Sequence, residues 1–174
     1  MKNTFIDVIN FLLEIAPVDI TIIPGNHDRD TSLILGEVIE AWFRSNDFVS
    51  VNNSELTRKY YKYGDCGFMF CHGDNINIRQ AGMIFSTENP TLWGSTKYRF
   101  CKIGHFHANK KYPIYHLFSE MGCEIQVLPA LTSVDKYSHD RGYLSPMQVK
   151  SFLYSKTMGE IMSITYTDNK NYNC

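Results

Sequence analysis

The stretch Val18-Asp19-Ile20-Thr21-Ile22-Ile23-Pro24-Gly25-Asn26-His27-Asp28 decides how the rest of the chain is read. Its first six residues are short, β-branched and nearly all apolar, the pattern of a strand covered on both faces. Pro24-Gly25 ends the strand in a turn, and a polar Asn-His-Asp triplet comes at once after it. The same arrangement recurs twice. Phe68-Met69-Phe70 runs into Cys71-His72-Gly73-Asp74, and Phe100 to Ile103 runs into Gly104-His105-Phe106-His107. Four of the six histidines therefore sit directly after apolar strands. In open α/β sheets, sites form in the crevice outside the carboxyl ends of the strands. Three polar loops leaving three buried strands can converge there.

On the N-terminal side, residues 3 to 16 place Phe5, Val8, Ile9, Leu12, Leu13 and Ile15 at helical spacing, which predicts a helix with one apolar face that Pro17 stops. A second helix is expected from Asp30 to Arg44, capped by Asp30, Thr31 or Ser32. Phe48 to Val51 reads as a short strand. Arg58 to Tyr63 and Phe68 to Cys71 read as a hairpin joined by residues 64 to 67, and a helical stretch is expected near Ile76 to Phe85. Phe100 to Ile103 and Glu124 to Leu128 read as further strands. Lys150 to Ser155 and Ile161 to Tyr166 form a late hairpin about Met158-Gly159, with a polar tail over 168–174. The sum is one α/β domain over residues 1–167, with helices packed on a mixed sheet.

Composition agrees with a globular chain. Of 174 residues, 44% are hydrophobic and 14% aromatic, enough for a packed core. The net charge of -1 provides no global basic field to grip nucleic acid without regard to sequence. The five cysteines are odd in number and form no C-x-x-C pair, and four of them lie in or beside apolar runs and so read as reduced core residues. No secretory segment or membrane span is legible, and a cytoplasmic location is the default expectation.

The loop chemistry is specific. Imidazole, amide oxygen and carboxylate suit borderline or hard divalent cations such as manganese, iron or zinc. Gly25, Gly73 and Gly104 permit tight turns or close approach of the backbone to a ligand. In extended chain His105 and His107 point to one side, about 6.5 to 7 Å apart at the backbone, so each can serve one ion of a pair.

Gly25-Asn26-His27-Asp28, His72-Gly73-Asp74 and Gly104-His105-Phe106-His107 resemble the third, fourth and fifth signature blocks of the calcineurin-like metallophosphoesterases. The resemblance implies a two-sheet sandwich flanked by helices, incomplete at the N-terminus, and a metal-dependent phosphoester hydrolase of phosphodiesterase or nuclease type. It implies two divalent ions, manganese foremost, with iron or zinc as alternatives. Asn26, His72 and His105 would hold the second metal and His107 the first. His27 would stabilise or protonate the leaving oxygen at the phosphate, and Asp28 would orient His27. The compact loops resemble the DNA-repair exonuclease and phage-type branch of the family more than its protein phosphatases. The family's Asp-x-His and Gly-Asp-x-x-Asp blocks do not precede Asn26. Asp7 lies on a helical face and Asp19 inside a strand, and neither replaces the missing carboxylates. The chain alone is therefore expected to bind metal weakly and to hydrolyse slowly or not at all. Three explanations fit: the downstream half of a split gene whose companion polypeptide supplies the N-terminal half, a truncated product, or a decayed remnant kept for binding. The sheet edge that absent strands would leave exposed modestly favours the first.

For substrate, the run Lys97, Arg99, Lys102, Lys110 and Lys111 contains no acidic residue between its ends and interleaves Tyr98, Phe100, Phe106 and Tyr112. Such a basic, aromatic-rich run suits a phosphodiester or nucleic-acid backbone. Lys102, Lys110 and Arg141 are the expected substrate contacts, Arg141 standing with His139 in a polar segment over 135–143. His116 reads as structural. Two competing readings are a non-catalytic binding or assembly module on the same scaffold, and a one-metal structural site at His72, His105 and His107.

Overall fold

A computed structural model describes residues 2–105, 117–129, 131 and 147–168. The chain divides into two compact units, Met1–Lys59 and Tyr60–Cys174. None of the described helices is long and apolar enough to cross a membrane.

The first unit is a small helix-flanked pair of strands. Helix α1 (Lys2–Leu13) leads to β1 (Val18–Thr21), helix α2 (Arg29–Phe43) and β2 (Val49–Asn52), with β2 parallel to β1 from Val18↔Val49 to Thr21↔Asn52. Two parallel strands need a crossover, and α2 is it. Ile6 and Ile9 of α1 meet Ile39 and Phe43 of α2 over Val18, Ile20, Val49 and Val51. The expected single apolar face of α1 is corrected here. The inward stripe is Ile6, Ile9 and Leu13, while Phe5, Val8 and Leu12 are exposed, as is Ile15 in the turn past the helix end. These two stripes lie on different sides of the cylinder at 3.6 residues per turn. Helix α2 packs closely at Gly36, where a Cβ would land on the Asn53 amide.

The second unit centres on a five-stranded sheet in the order β3-β4-β5-β7-β6. Its strands are β3 (Arg58–Tyr63), β4 (Cys66–Cys71), β5 (Tyr98–Ile103), β6 (Leu117–Glu120) and β7 (Cys123–Val127). Strand β5 runs parallel to both β4 and β7, and β6 is antiparallel to β7. The expected four-residue β3–β4 connection shrinks to Gly64-Asp65, with Gly64 at φ 59°. Strand β6 has no counterpart among the strands expected from sequence.

Alternation sorts the sheet residues onto two faces. On one face Met69, Cys71, Cys101, Ile103, Cys123 and Ile125 pack with Ala81, Phe85 and Leu92. Those three come from α3 (Ala81–Glu88) and α4 (Pro90–Gly94). The sequence predicted one helix near 76–85. Instead a 3₁₀ turn over Ile78–Gln80, capped by Asn77, precedes α3, and Asn89 with Pro90 starts the separate α4. Asn89 accepts the Leu92 N–H at 3.2 Å, satisfying one of the donors that a helix start leaves unpaired.

On the opposite face Cys66, Phe68 and Phe100 meet Tyr154 of the late hairpin. That hairpin, β8 (Met147–Ser155) with β9 (Gly159–Asp168), is longer at both ends than predicted, and Asp168 belongs to strand rather than tail. The observed class is mixed α/β: a mixed five-stranded sheet with helices on one face and a two-stranded ribbon on the other.

Candidate metal centre

Strands β4 and β5 are adjacent and parallel, with Cys71 paired to Ile103. Their carboxyl ends lie side by side, and His72 and Gly104 are the next residues out. The Gly104 N–H donates to the Cys71 carbonyl at 3.3 Å, prolonging the ladder by one step beyond the strands. Gly73 turns away at φ 104°, a conformation natural to glycine. His105 takes φ 65°, the left-handed region that non-glycine residues rarely occupy. This twist aims its ring back at β4.

The two rings meet. His105 Nδ1 lies 3.1 Å from His72 Nε2, with ring centroids 4.9 Å apart and planes at 72°. One nitrogen carries hydrogen and donates; the other accepts. Both side chains are half-buried, so the pair is reachable. The separation also fits a shared ion. Two nitrogens each 2.0–2.1 Å from one cation, at angles between octahedral and tetrahedral, are about 2.9–3.4 Å apart. Once a cation displaces the hydrogen between them, Nδ1 of one ring and Nε2 of the other can serve as a two-nitrogen donor set. Among the described residues no group of three or more His, Cys, Asp or Glu side chains is placed to hold a metal. His107, the expected ligand of the other ion, lies outside the described residues, as do Lys110, Lys111, His116, His139 and Arg141. The expectation that His105 lies in extended chain is corrected, since β5 ends at Ile103 and His105 is left-handed.

In the first unit, Asn26, His27 and Asp28 form an exposed turn between β1 and α2. Asp28 Oδ1 accepts the Gly25 N–H at 2.9 Å. One carboxylate oxygen therefore closes its own loop, a local role the sequence reading did not foresee. It makes no side-chain cap bond to α2, although it occupies the cap position.

Lys102 is the clearest departure from expectation. The sequence places it against substrate, yet it is 4% exposed. Two residues along β5 from Phe100, it shares that residue's face and points under the β8–β9 ribbon. Its ammonium donates to Gln126 Oε1, lies 3.7 Å from Glu160 Oε2 and sits 3.4 Å from the centre of the Phe152 ring. Gln126 Nε2 and the Tyr154 hydroxyl donate to the same Glu160 oxygen at 2.8 and 3.0 Å. Burial pushes the ammonium pKa down to about 8 against the opposing pull of Glu160 and Glu124. The rest of the described basic run is engaged too. Lys97 pairs with Asp65 at 3.3 Å, and Arg99 stacks over Trp93 while donating to the Trp93 and Thr96 carbonyls.

No family model, curated protein or solved structure matches the chain.

Proposed function

We propose that this chain is part of a metal-dependent phosphoester hydrolase, in which His72 and His105 hold one divalent cation. The observation that carries the reading is the 3.1 Å approach of His105 Nδ1 to His72 Nε2 at the ends of adjacent parallel strands. It supports the part of the signature-block resemblance that concerns these two ligands. The roles of Asn26, His27, Asp28 and His107 in this reading rest on the signature blocks. A divalent cation there would supply Lewis acidity to a phosphodiester or nucleic-acid substrate. Two neutral imidazoles leave its charge uncompensated, and hard cations need anionic oxygen donors. A companion polypeptide contributing carboxylates completes the site in this proposal.

Manganese or zinc titration of the purified chain tests the reading. Weak binding is expected, falling at least tenfold in both His72→Ala and His105→Ala. Unchanged affinity in these two variants would remove the centre from the proposal. Manganese-stimulated hydrolysis of bis-p-nitrophenyl phosphate, lost in the same variants, is the corresponding activity readout once a carboxylate-bearing companion is present.

A further inference from the structure

We infer that Cys101 and Cys123 are an oxidisable pair that closes to an intrachain disulfide between β5 and β7. The two sulfurs are 3.1 Å apart. They sit on neighbouring parallel strands whose register, Phe100↔Glu124, places Cys101 one residue after that pair and Cys123 one residue before it. Both side chains therefore project from the same sheet face and meet diagonally, inside the cluster covered by Phe85 and Ala81. Forming the bond requires the sulfurs to close to about 2.05 Å, a movement of about 1 Å.

Competition from the other described cysteines is limited by topology. Cys66 belongs to the opposite face, where its Sγ contacts the Ser155 carbonyl at 3.4 Å. Cys71 shares the cluster and is the one rival partner for Cys101 among the described residues. The oxidant class comes from burial. The two side chains are at most 1% exposed, and the neighbouring thiol together with burial pushes the Cys101 thiol well above its ordinary range. The raised pKa slows any oxidant, since the thiolate is the nucleophile. Burial selects among oxidants by size, excluding a bulky disulfide and admitting a peroxide on an opening of the sheet that also lets a thiol ionise. One sulfur, as its thiolate, attacks a peroxide oxygen and breaks the O–O bond, and the departing hydroxide takes up the thiol's proton, giving a sulfenic acid and water. The second thiol sulfur then displaces that oxygen, releasing another water. In sum two thiols and one hydrogen peroxide give one disulfide and two waters.

The bond would tie together positions 22 residues apart in sequence, a loop that includes His105. Cross-linking a loop of that size constrains the unfolded chain and raises stability. Redox state would then set how firmly β5, the strand that leads to His105, is held to its neighbour.

The full-length chain, exposed to hydrogen peroxide, alkylated and digested without reductant, provides the test. Peptide mapping should yield a Cys101–Cys123 linked species two hydrogens lighter than its parts as the dominant product. Its formation should be first order and independent of protein concentration. The thermal midpoint should rise on oxidation and return with dithiothreitol, and Cys123→Ser should lose both effects. Because the map is read on the unaltered chain, poor folding of the variant does not blunt it. Recovery of these two cysteines as separate alkylated or over-oxidised peptides, or a dominant Cys71–Cys101 bridge, would overturn the assignment.

Discussion

Replacing Lys102 with methionine should change the pH dependence of stability more than stability itself. The folded ammonium titrates near 8, against an ordinary value of 10.5, because burial outweighs the attraction of Glu160 and Glu124, while Lys150 adds repulsion. The folded pKa lies below the unfolded one, so the folded chain gives up this proton first. Unfolding then takes up a proton between about pH 8 and 10.5, and stability rises with pH across that window. Each pH unit is worth about 1.4 kcal/mol. From pH 7 to pH 9.5 the native lysine should therefore gain about 2 kcal/mol that methionine cannot. Other groups act oppositely at the alkaline end. Burial raises the Cys66 and Tyr154 values, and the Cys123 thiol together with burial raises that of Cys101, so the folded state holds protons that the unfolded chain loses. Those contributions cancel when wild type and Lys102→Met are compared at each pH. At pH 7 the variant should be about as stable as wild type, since swapping a buried charge for an apolar chain of similar volume is often neutral or favourable. Glu160 keeps the Gln126 and Tyr154 donors in either case. Urea denaturation in reducing buffer at pH 7 and pH 9.5 measures both differences. Parallel stability curves for the two proteins would refute the buried, low-pKa lysine and return Lys102 to the surface role that the sequence suggests.

Gly36→Ala should lose about 1–2 kcal/mol by urea denaturation. The added methyl collides with an Asn53 amide already tied to the Leu33 carbonyl, and that overpacking exceeds the gain of about 1 kcal/mol in helix propensity. Gly94→Ala, with nothing within 4 Å of its Cβ, is the matched control and should lose nothing. Phe85→Ala should cost about 3–5 kcal/mol in the same assay, because the ring is fully buried between Tyr60 and Trp93, each with its centroid 5.3 Å away.

Elements built from runs of apolar residues are legible in the sequence. Strands β4, β5 and β7 announce themselves because they are buried and few other structures accommodate such runs, whereas β1, read from the sequence as covered on both faces, is only half-buried with Asp19 exposed. Strand β6 escapes notice because Leu117–Glu120 is short, half polar and placed by antiparallel pairing with β7 rather than by its own pattern. The 3₁₀ start within the predicted helix near 76–85 turns on Asn77, and the additional helix α4 beyond it turns on Asn89; each side chain caps the helical segment that begins there. Of the site, His72 and His105 are legible as a pair because each lies just beyond a strand of one parallel sheet. The left-handed turn that lets their rings meet is not, since histidine has no strong preference for that conformation. Lys102 misleads for a physical reason. A lysine in a run with Lys97 and Arg99 looks solvated, but the residues that bury it, Phe152 and Tyr154, come 50 or more positions later in the chain.

The same cluster explains an irregularity in the late hairpin. Pairing runs regularly from Met147↔Asp168 to Leu153↔Met162, then jumps to Tyr154↔Glu160. Ile161 is the extra residue, a bulge that leaves it 54% exposed. Without the bulge Tyr154 would face Ile161, and Glu160 would move one place along and onto the solvent side. With it, Tyr154 and Glu160 both turn inward, and the carboxylate arrives where Lys102, Gln126 and the Tyr154 hydroxyl converge. An apolar ribbon on an apolar sheet can slide with little change in buried area. A single ammonium under that ribbon cannot, because every alternative register leaves it buried without its acceptors, at a cost of several kcal/mol. The bulge and the buried lysine are therefore one device, and it fixes how the ribbon lies on the sheet whose other strand ends carry His72 and His105.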